Sequence, residues 1–385
     1  MRAAPSSVPT FAMAVACGIG VANIYYNQPM LALIERAFPG SATASLIPTA
    51  TQLGFAAGLF LLVPLGDLLE RRRVIVAQFL ILGLALAAAA SAPTALTLVA
   101  ASLLVGAGSS VAQQIVPFAA TLAPPEKRGR TIGTVMSGLL CGILLSRTLA
   151  GFVATHLGWR EMFWIGVPLA LSGATLMAVT LPRSPPAMGL RYGEALTSLA
   201  HLWRTEAPLR RATLTQAALF ASFSVFWTIL ALRLEEPVFR LGADVAGLFG
   251  ILGLVGIFAA PLAGYLADRR GPHTGIVLGA ALALSSWAAF GLWGAVAGLV
   301  LGVVLLDFGV QSSMISNQHI IYALQPAARS RLNTVFTTGM FIGGGFGSAG
   351  AMLIYHLEGW NWLCVYGAAM AAAALLLQIG GHARN

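Results

Sequence analysis

Two ionisable residues of this sequence lie deep inside long apolar stretches. All but one of the 13 acidic residues fall in polar loops or at the ends of apolar stretches, and the exception is Asp307. Among the basic residues, only Arg147 lies at a similar depth. Because a charge in apolar surroundings is costly, each group is expected to face protein or water and to serve a purpose. Proton binding and release is the chemistry that Asp307 suggests, with Arg147 as its partner in coupling. A purely structural ion pair, or an Asp307 bonded to hydroxyl groups, is the alternative.

Amide and aromatic side chains follow helical spacing near these charges. Asp307, Gln311, Met314 and Gln318 recur at steps of four, three and four, which places them on one helix face. Such side chains orient a moderately polar organic solute, so they are predicted to bind a small-molecule substrate. The remaining candidates of this kind are Asn23, Tyr26, Asn27, Gln113, Gln114, Gln216, Phe223 and Trp227. Helix–helix hydrogen bonding, about 0.6 kcal/mol per pair, is the alternative, and it stays open for Asn27 and Gln113 in particular.

The composition identifies the elements that must position these residues. The chain is 58% hydrophobic and 9% charged, whereas a soluble domain carries about 25% charged residues. No Lys, Arg, Asp or Glu occurs from Val74 to Pro125, a run that can cross a bilayer twice at about 20 residues per span. Backbone N–H and C=O groups in hydrocarbon must hydrogen-bond to each other, so a membrane span is either a helix or part of a closed β-barrel. Apolar runs of this length, without alternation of polar and apolar residues, exclude a β-barrel. The sequence therefore predicts an all-α integral membrane protein.

Charge clusters and Gly/Pro turns divide the apolar stretches into about twelve spans. The predicted spans are 11–35, 45–66, 74–92, 95–122, 131–155, 161–181, 210–233, 245–267, 274–294, 296–323, 332–356 and 361–380. They form a six-helix bundle at 1–181, a linker at 182–208 and a second six-helix bundle at 209–385. The linker contains three prolines followed by a mildly amphipathic stretch, which is typical of an interfacial helix.

The two predicted bundles share sequence phrases, which indicates a duplicated unit. Gly66-Asp67-Leu68-Leu69-Glu70-Arg71-Arg72 in the first half matches Gly264-Tyr265-Leu266-Ala267-Asp268-Arg269-Arg270 in the second. A further set repeats at a constant interval of 201 residues, pairing Pro125, Arg128, Arg130, Gly138, Gly142, Gly158 and Trp159 with Pro326, Arg329, Arg331, Gly339, Gly343, Gly359 and Trp360. Each copy is too long to be a solenoid repeat.

The distribution of Lys and Arg predicts the orientation of the chain. Outside the membrane interior, only Arg36, Arg160, Arg233 and Arg240 fall on one face, and the other Lys and Arg residues collect on the opposite face. The positive-inside rule then places both termini in the cytoplasm. The expected location is the cytoplasmic (inner) membrane. The arginines are scattered over short loops, which excludes nucleic acid as a partner. The first span lacks the features of a cleavable signal. The three cysteines lack metal-like spacing, and no cofactor is predicted.

The chain resembles the major facilitator superfamily over its whole length. The resemblance rests on the predicted order of six helices, a linker and six helices, and on the G-x-L-x-[DE]-R-R phrase that occurs in both halves. The run Asn23-Ile24-Tyr25-Tyr26-Asn27-Gln28-Pro29 resembles bacterial drug and sugar efflux permeases of that superfamily. The resemblance implies two pseudo-symmetric bundles that rock about a central substrate site lined by helices 1, 4, 7 and 10. It also implies a conformational gate at the doubled phrase, with pairs across helix ends, formed by Gly66, Glu70, Arg71, Gly264, Asp268 and Arg269.

The sequence also departs from the pattern of drug antiporters. Ser102 stands where those proteins carry an arginine on helix 4, and Arg147-Thr148 stands where a Gly-Pro pair is usual on helix 5. In the first gate phrase, Glu70 replaces the usual Asp and Arg73 the usual Gly. These departures weaken an assignment as a multidrug exporter, but they leave a secondary transporter intact. Arg147 is a candidate to replace the missing helix 4 arginine.

Three functional hypotheses follow from these patterns. The leading one is a proton-coupled exporter of small organic compounds, acting as a monomer in the lipid bilayer on a small-molecule substrate and protons. The second is a symporter or uniporter that imports a metabolite, sugar or organic acid, in which Arg147 would bind a substrate carboxylate. The third is a receptor or membrane enzyme, which the duplication and the lack of a clustered catalytic or nucleotide-binding motif disfavour.

Overall fold

The computed structural model describes residues 7–184, 191–253, 269, 271–325 and 328–382. Within these residues the secondary structure is helical, and ten helices are long and apolar enough to cross a membrane. The last of the ten, Arg329–Gly380, contains two predicted spans separated by a kink. The eighth predicted span, 245–267, lies only partly within the described residues. The predicted all-α membrane fold is confirmed.

The chain divides into two compact units, Met1–Thr197 and Ser198–Asn385. The boundary between them falls inside the stretch 182–208, which the sequence predicts to be a linker. Helix α10, Tyr192–Thr205, crosses this boundary, and Leu199 and Leu202 are its buried side chains. The hydroxyl group of Tyr192 donates a hydrogen bond of 2.8 Å to the carbonyl oxygen of Leu61, which ties the start of α10 to the first unit.

Among the described residues of the first unit, nine α-helices precede α10. They are α1 Ser7–Ala22, α2 Asn27–Ala37, α3 Ile47–Leu61, α4 Leu65–Leu68, α5 Arg71–Ala90, α6 Ala95–Ser109, α7 Ala112–Leu122, α8 Arg128–His156 and α9 Trp159–Thr180. Two predicted spans, 11–35 and 95–122, are therefore each divided into two helices. The sequence predicted one continuous helix in each of these spans. In the structure, the first is interrupted at residues 23–26 and the second at residues 110–111.

Five helices begin within the described residues of the second unit. They are α11 Ala207–Glu235, α12 Ala243–Leu252, α13 Pro272–Leu292, α14 Val296–Leu324 and α15 Arg329–His382. Helix α15 is kinked at Gly359, whose φ of 78° lies in the left-handed region. Helices α11 and α14 are unbroken, although they are the repeat counterparts of the first and fourth spans. The two units thus differ at the helices that the resemblance places around a substrate.

The shared glycines of the duplicated sequence bring the same pair of helices together in each unit. A Cβ atom at Gly138 of α8 would overlap the backbone of Ala14 on α1, and one at Gly142 would overlap Gly18. In the second unit, a Cβ atom at Gly343 of α15 would overlap the backbone of Ala217 on α11. Close backbone approach at small residues is how membrane helices gain packing contacts, because lipid supplies no hydrophobic drive between them.

The repeated Gly-Trp pair closes one end of each unit. Gly158 has a φ of 124°, a conformation that side chains disfavour, and it lets the chain reverse between α8 and α9. Next to it, the Arg160 guanidinium lies 4.2 Å from the Trp159 ring centroid and donates to the carbonyl oxygens of Ala90 and Ala92 at 3.3 and 3.1 Å. In the second unit, the indole of Trp360 donates to the carbonyl oxygen of Phe290 at 3.1 Å. Arg160 in the first unit and Trp360 in the second therefore each bond carbonyl groups at the end of a neighbouring helix.

Candidate functional site

The break between α1 and α2 is stabilised by Asn23. A helix end leaves its last four carbonyl groups without partners in the helix. The Asn23 side-chain amide donates to the carbonyl oxygens of Ile19 at 2.7 Å and Gly20 at 3.3 Å. The next two carbonyl groups, of Val21 and Ala22, accept from the backbone N–H groups that follow. All four groups are satisfied, so Asn23, a predicted substrate ligand, supports a helix break in the apolar interior of the unit.

Arg147 lies beside this break, on α8. Its side chain is 3% exposed. Its Nε atom donates a hydrogen bond of 2.9 Å to Oε1 of Gln28, and its guanidinium carbon lies 4.3 Å from the ring centroid of Tyr25. Tyr25 is the last but one residue of the break, and Gln28 is the second residue of α2. A cation over an aromatic face is attracted by the ring quadrupole, so Tyr25 and Gln28 together hold the guanidinium group in one orientation.

Two other predicted ligands on the first span, Tyr26 and Asn27, are also buried. Tyr26 is 2% exposed and Asn27 is 3% exposed. The Asn27 amide nitrogen donates to Oγ1 of Thr51 on α3 at 2.7 Å, and Thr51 in turn donates to the carbonyl oxygen of Ile47. The Asn27 amide oxygen has no hydrogen-bond partner among the described residues. Asn27 therefore fastens α2 to α3 and keeps one acceptor available.

The break between α6 and α7 adjoins a buried amide pair. The Gln114 amide nitrogen donates to Oε1 of Gln78 on α5 and to the carbonyl oxygen of Leu62. Gln78 donates to the hydroxyl group of Ser110, which lies in the break, at 3.2 Å. Gln114 therefore joins three segments of the unit, which is a structural role for a residue predicted to bind substrate. Its neighbour Gln113 is only half-buried.

The first gate phrase is held by Arg71 and by a local ion pair. The Nε atom of Arg71 donates to the carbonyl oxygen of Gly66 at 3.0 Å, and a Cβ atom on Gly66 would lie 3.0 Å from Oε1 of Gln114. Glu70 pairs with Arg73 at 2.7 Å, three residues along the chain. This local pair differs from the predicted pairing across helix ends. The pair is possible because this chain has Arg73 at the position where the family pattern has a glycine.

The second gate phrase lies largely outside the described residues. Gly264 and Asp268, both predicted gate residues, are outside them, so their structural roles stay predictions. Arg269 is described, and its side chain is exposed.

Asp307 lies on α14 and contacts Trp227 of α11. The carboxyl group is 6% exposed, and among the described residues Asp307 and Arg147 are the only acidic and basic residues that are buried. The indole Nε1 of Trp227 donates a hydrogen bond of 3.2 Å to Oδ1 of Asp307. Hydrogen bonds that end on a charged group are about twice as strong as neutral ones. The geometry thus joins the buried acid to an aromatic residue predicted to bind substrate.

Aromatic rings continue from Trp227 along α11. The ring centroid of Phe223 lies 5.9 Å from that of Trp227, and Phe223 stacks on Phe220 at 5.3 Å. Phe341 of α15 packs against Phe220 at 4.9 Å. These four residues, Phe220, Phe223, Trp227 and Phe341, are called the aromatic row below. One end of the row bonds the Asp307 carboxylate, so any reorientation of Trp227 affects both groups.

The remaining predicted substrate ligands of the second unit lie on α14 and α11. Gln311, Met314 and Gln318 are half-buried, and their role toward substrate stays a prediction. Gln216 on α11 is fully buried, donates to the carbonyl oxygen of Val310 at 3.3 Å and accepts from Asn317 at the same distance. Gln216, another predicted ligand, therefore fastens α11 to α14.

Several residues of these arrangements escaped prediction. Gln28, Tyr25 and Gln78 were not selected as site residues, although Gln28 and Tyr25 belong to the polar run on the first span and Gln78 is a lone amide in an apolar one. A polar side chain inside an apolar span is the signal that could have found them. Only their partners, which lie on other helices, explain them.

Comparisons with known proteins decide the family. The model of the Major Facilitator Superfamily matches residues 10–319, which is most of the chain. The chain belongs to the major facilitator superfamily. It is 42% identical over 381 residues to a relative named the uncharacterized transporter YgaY of Escherichia coli O157:H7, covering 97% of this chain and 95% of the relative. The fold and the class of secondary transporter are thereby established.

Two further comparisons show the range of relatives in the superfamily. The multidrug resistance protein B homolog of Mycobacterium tuberculosis H37Rv is 27% identical over 369 residues, covering 80% of this chain and 66% of that protein. The crystal structure of the nucleoside transporter NupG superimposes with a TM-score of 0.77 at 14% identity, covering 97% of this chain and 99% of the other. At that identity, the likeness to NupG concerns the fold alone.

Proposed function

We propose that this superfamily member exports small organic compounds by alternating access and that proton flow through Asp307 drives the export. The observation that carries the proposal is the buried Asp307 carboxyl group bonded to Trp227 at 3.2 Å. An ionisable residue inside a membrane span is costly and is most often part of an ion or substrate pathway. The resemblance to a multidrug resistance protein of Mycobacterium tuberculosis supports the direction of transport.

The hydrogen bond suggests how a proton and a substrate are coupled. When Asp307 is ionised, its oxygen accepts a charge-assisted bond from the Trp227 indole; when a proton occupies the carboxyl group, that bond weakens. Trp227 is then released from Asp307, and the aromatic row that begins with Trp227 repacks. Proton binding on one side of the membrane and release on the other would therefore alter the surface offered to an aromatic or apolar solute. A ligand shifts such an equilibrium only by its differential affinity for the two states.

Transport in proteoliposomes tests the proposal. An imposed pH gradient, acidic on the side that the solute enters, is expected to drive flux of a transported compound in wild-type protein. Asp307→Asn, which keeps the shape and removes the charge, is expected to abolish pH-driven flux while exchange of labelled for unlabelled solute persists. Unchanged pH-driven flux in Asp307→Asn would refute the coupling role. Asp244→Asn, at the first turn of α12, is the control.

Import of an organic acid or other metabolite is the second candidate. It is favoured by Arg147, whose guanidinium group is buried and oriented by Gln28 and Tyr25. The direction of flux separates the two candidates: an importer accumulates solute on the side toward which protons flow, whereas an exporter accumulates it on the opposite side.

A further inference from the structure

An arginine packs on a phenylalanine and a tryptophan at one end of the first unit. The Arg160 guanidinium carbon is 5.9 Å from the ring centroid of Phe38, which follows α2, and 4.2 Å from that of Trp159, which begins α9. A guanidinium group is attracted to the face of an aromatic ring by the ring quadrupole. The three side chains therefore hold the end of α2 against the start of α9, and this arrangement is called an arginine clamp below.

The second unit contains an arginine clamp whose cation comes from a different position in the chain. The Arg233 guanidinium carbon is 5.2 Å from the ring centroid of Phe239 and 4.6 Å from that of Trp360. Both rings are repeat counterparts of those in the first clamp, at the interval of 201 residues, but the counterpart of Arg160 is Asn361. Arg233 belongs instead to the last turn of α11. The contact is thus present in both units, although different helices supply the cation.

The second clamp is reinforced by a carboxylate and a tyrosine. Arg233 forms an ion pair with Glu236, and the Tyr355 hydroxyl group donates a hydrogen bond of 2.5 Å to the other carboxylate oxygen of Glu236. The Arg233 side chain is 13% exposed, so the pair is shielded from water more than a surface pair is. Tyr355 precedes the kink of α15 at Gly359, and Trp360 follows it. The end of α11 is therefore attached to α15 on both sides of the kink.

A continuous set of aromatic contacts connects the second clamp to Trp227. The Trp360 indole bonds the carbonyl oxygen of Phe290, and the two ring centroids are 6.4 Å apart. Phe290 of α13 stacks on Phe226 of α11 at 4.3 Å, with 10° between the ring planes. Phe226 meets the Trp227 ring edge to face at 5.7 Å. All four side chains are buried, and a close-packed interior transmits the displacement of one ring to the next.

Helix α14, which carries Asp307, touches the same rings. A Cβ atom at Gly302 of α14 would overlap the Phe290 ring, so this ring lies directly against the helix backbone five residues before Asp307. The hydrogen bond from Trp227 to Asp307, at 3.2 Å, is at the long end of the range for N–H donors. A small rotation of α11 about its axis would therefore break the bond.

Arg233 is placed to prevent such a rotation. It follows Phe226 by seven residues, or about two helical turns, so the two side chains lie on one face of α11. Phe226 fixes this face against α13, and Arg233 fixes it against α15. Two attachments on one face, to two different helices, restrain the rotation of α11 more than either attachment alone.

We propose that Arg233 is a positioning residue for proton coupling, acting through its clamp on Trp360 to hold the Trp227 indole against Asp307. This inference rests on the proposed function, in which that hydrogen bond connects the proton to the aromatic row. Arg233 acts through the orientation of α11 and the buried rings, and not by binding the proton or the solute.

The fluorescence of Trp227 in the purified full-length protein tests the inference without a gradient. The Trp227 signal is the emission of each protein minus that of its Trp227→Phe counterpart. Arg233→Gln, which removes the cation, is expected to shift this signal and to lower the ratio of gradient-driven to exchange flux severalfold. Arg233→Lys keeps the charge beside Glu236 and loses the flat guanidinium group, so smaller changes of the same kind are expected.

Relocating the arginine within the clamp separates positioning from general destabilisation. Asn361 is exposed and occupies the position that Arg160 has in the first clamp. The double variant Arg233→Gln/Asn361→Arg is therefore expected to restore part of the Trp227 signal and of the flux ratio. Asn361→Arg alone should leave both near the wild-type values. An absence of any restoration in the folded double variant would refute the clamp as the means by which Arg233 acts.

Arg160 provides the matched control, because it forms the corresponding clamp in the other unit. Arg160→Gln is expected to lower the melting temperature while the Trp227 signal and the flux ratio stay at the wild-type values. A change of the Trp227 signal in Arg160→Gln as large as in Arg233→Gln would overturn the inference. A wild-type signal in both folded variants, Arg233→Gln and Arg233→Lys, would also overturn it.

The inference and the proposed function can fail separately. If Arg233→Gln shifts the Trp227 signal, the relocated arginine restores it and wild-type protein shows no pH-driven flux, the positioning of Trp227 is supported and the proton-coupled exporter is refuted. If Asp307→Asn abolishes pH-driven flux and Arg233→Gln changes neither the flux ratio nor the signal, the proposed function is supported and the inference is refuted.

Discussion

Trp227 and Asp307 are 80 residues apart in the chain, and the indole of the first donates a 3.2 Å hydrogen bond to the carboxylate of the second. Both side chains are buried, at 2% and 6% exposure. The bond crosses from α11 to α14 and connects the aromatic row to the buried acid. A change of charge on Asp307 can therefore act directly on the Trp227 ring.

Replacing Trp227 by Phe is expected to uncouple transport from the pH gradient. The substitution keeps an aromatic ring and removes the N–H donor, and a hydrogen bond to a charged group contributes about 1.5–3 kcal/mol. A loss of that size corresponds to about a ten- to hundredfold decrease in pH-driven flux. The measurement is solute flux in proteoliposomes with and without a gradient.

Trp287 is the control for this prediction. Its indole is also buried, but it donates to the hydroxyl group of Ser222, at 2.7 Å. Trp287→Phe is expected to destabilise the second unit while the ratio of gradient-driven to exchange flux stays at the wild-type value. Equal loss of that ratio in both variants would show that the Trp227 effect is general destabilisation.

The neighbouring arginines of the first gate phrase are expected to differ in importance. Arg71 is half-buried and donates to the carbonyl oxygen of Gly66, so Arg71→Ala leaves that group without its partner, at a cost of about 1–3 kcal/mol. Arg73 is 83% exposed, and its pair with Glu70 contributes about 0–1 kcal/mol. Exchange flux should fall strongly in Arg71→Ala and remain near the wild-type rate in Arg73→Ala. A reversed order would contradict the assignment of Arg71 as the support of this turn.

Two glycines on α8 provide a test of helix packing. A Cβ atom at Gly138 would overlap the backbone of Ala14, whereas one at Gly133 meets nothing within 4 Å. Gly138→Ala is therefore expected to destabilise the first unit by about 1–3 kcal/mol through overpacking. Gly133→Ala should be neutral or slightly stabilising, because Ala favours a helix over Gly by about 1 kcal/mol. Melting temperatures in detergent measure both effects, and similar values for the two variants would refute the contact.

Asn23 is expected to be a structural residue of the helix break and not a substrate ligand. Asn23→Leu removes the donor to the carbonyl groups of Ile19 and Gly20, and each buried group left open costs about 1–3 kcal/mol. The melting temperature should fall, and the affinity of the remaining folded protein for its solute should not. Asn23→Ser should recover part of the loss, since Ser109 shows that a serine can bond the carbonyl group four residues earlier. A selective loss of affinity in Asn23→Leu would assign Asn23 to substrate instead.

Much of the fold follows from properties that belong to single residues or to short stretches. Hydropathy and charge separate membrane spans from loops, because the bilayer imposes one cost on every residue it contains. The 201-residue interval also predicts equivalent packing in both halves, and the glycines at 138, 142 and 343 confirm it. The buried positions of Asp307 and Arg147 were predictable for the same reason.

The helix breaks and the partners of the polar residues were decided by tertiary structure. No local signal shows that α1 ends at Ala22 while α11 runs unbroken to Glu235, because the break is stable only when Asn23 can satisfy the carbonyl groups that it opens. Gln114 and Gln216, two amides predicted to bind substrate, also fasten helices together, and their role toward substrate stays a prediction.

The sequence by itself predicted a duplicated transporter of about twelve spans, with one acid and one base in their interior. Only the tertiary structure decided that the base contacts Gln28, 119 residues away, and that the acid contacts Trp227. The physical reason is that hydropathy sets how deep a residue lies, whereas its neighbours depend on the rotation and depth of a second helix. Those two quantities come from the packing of the whole unit.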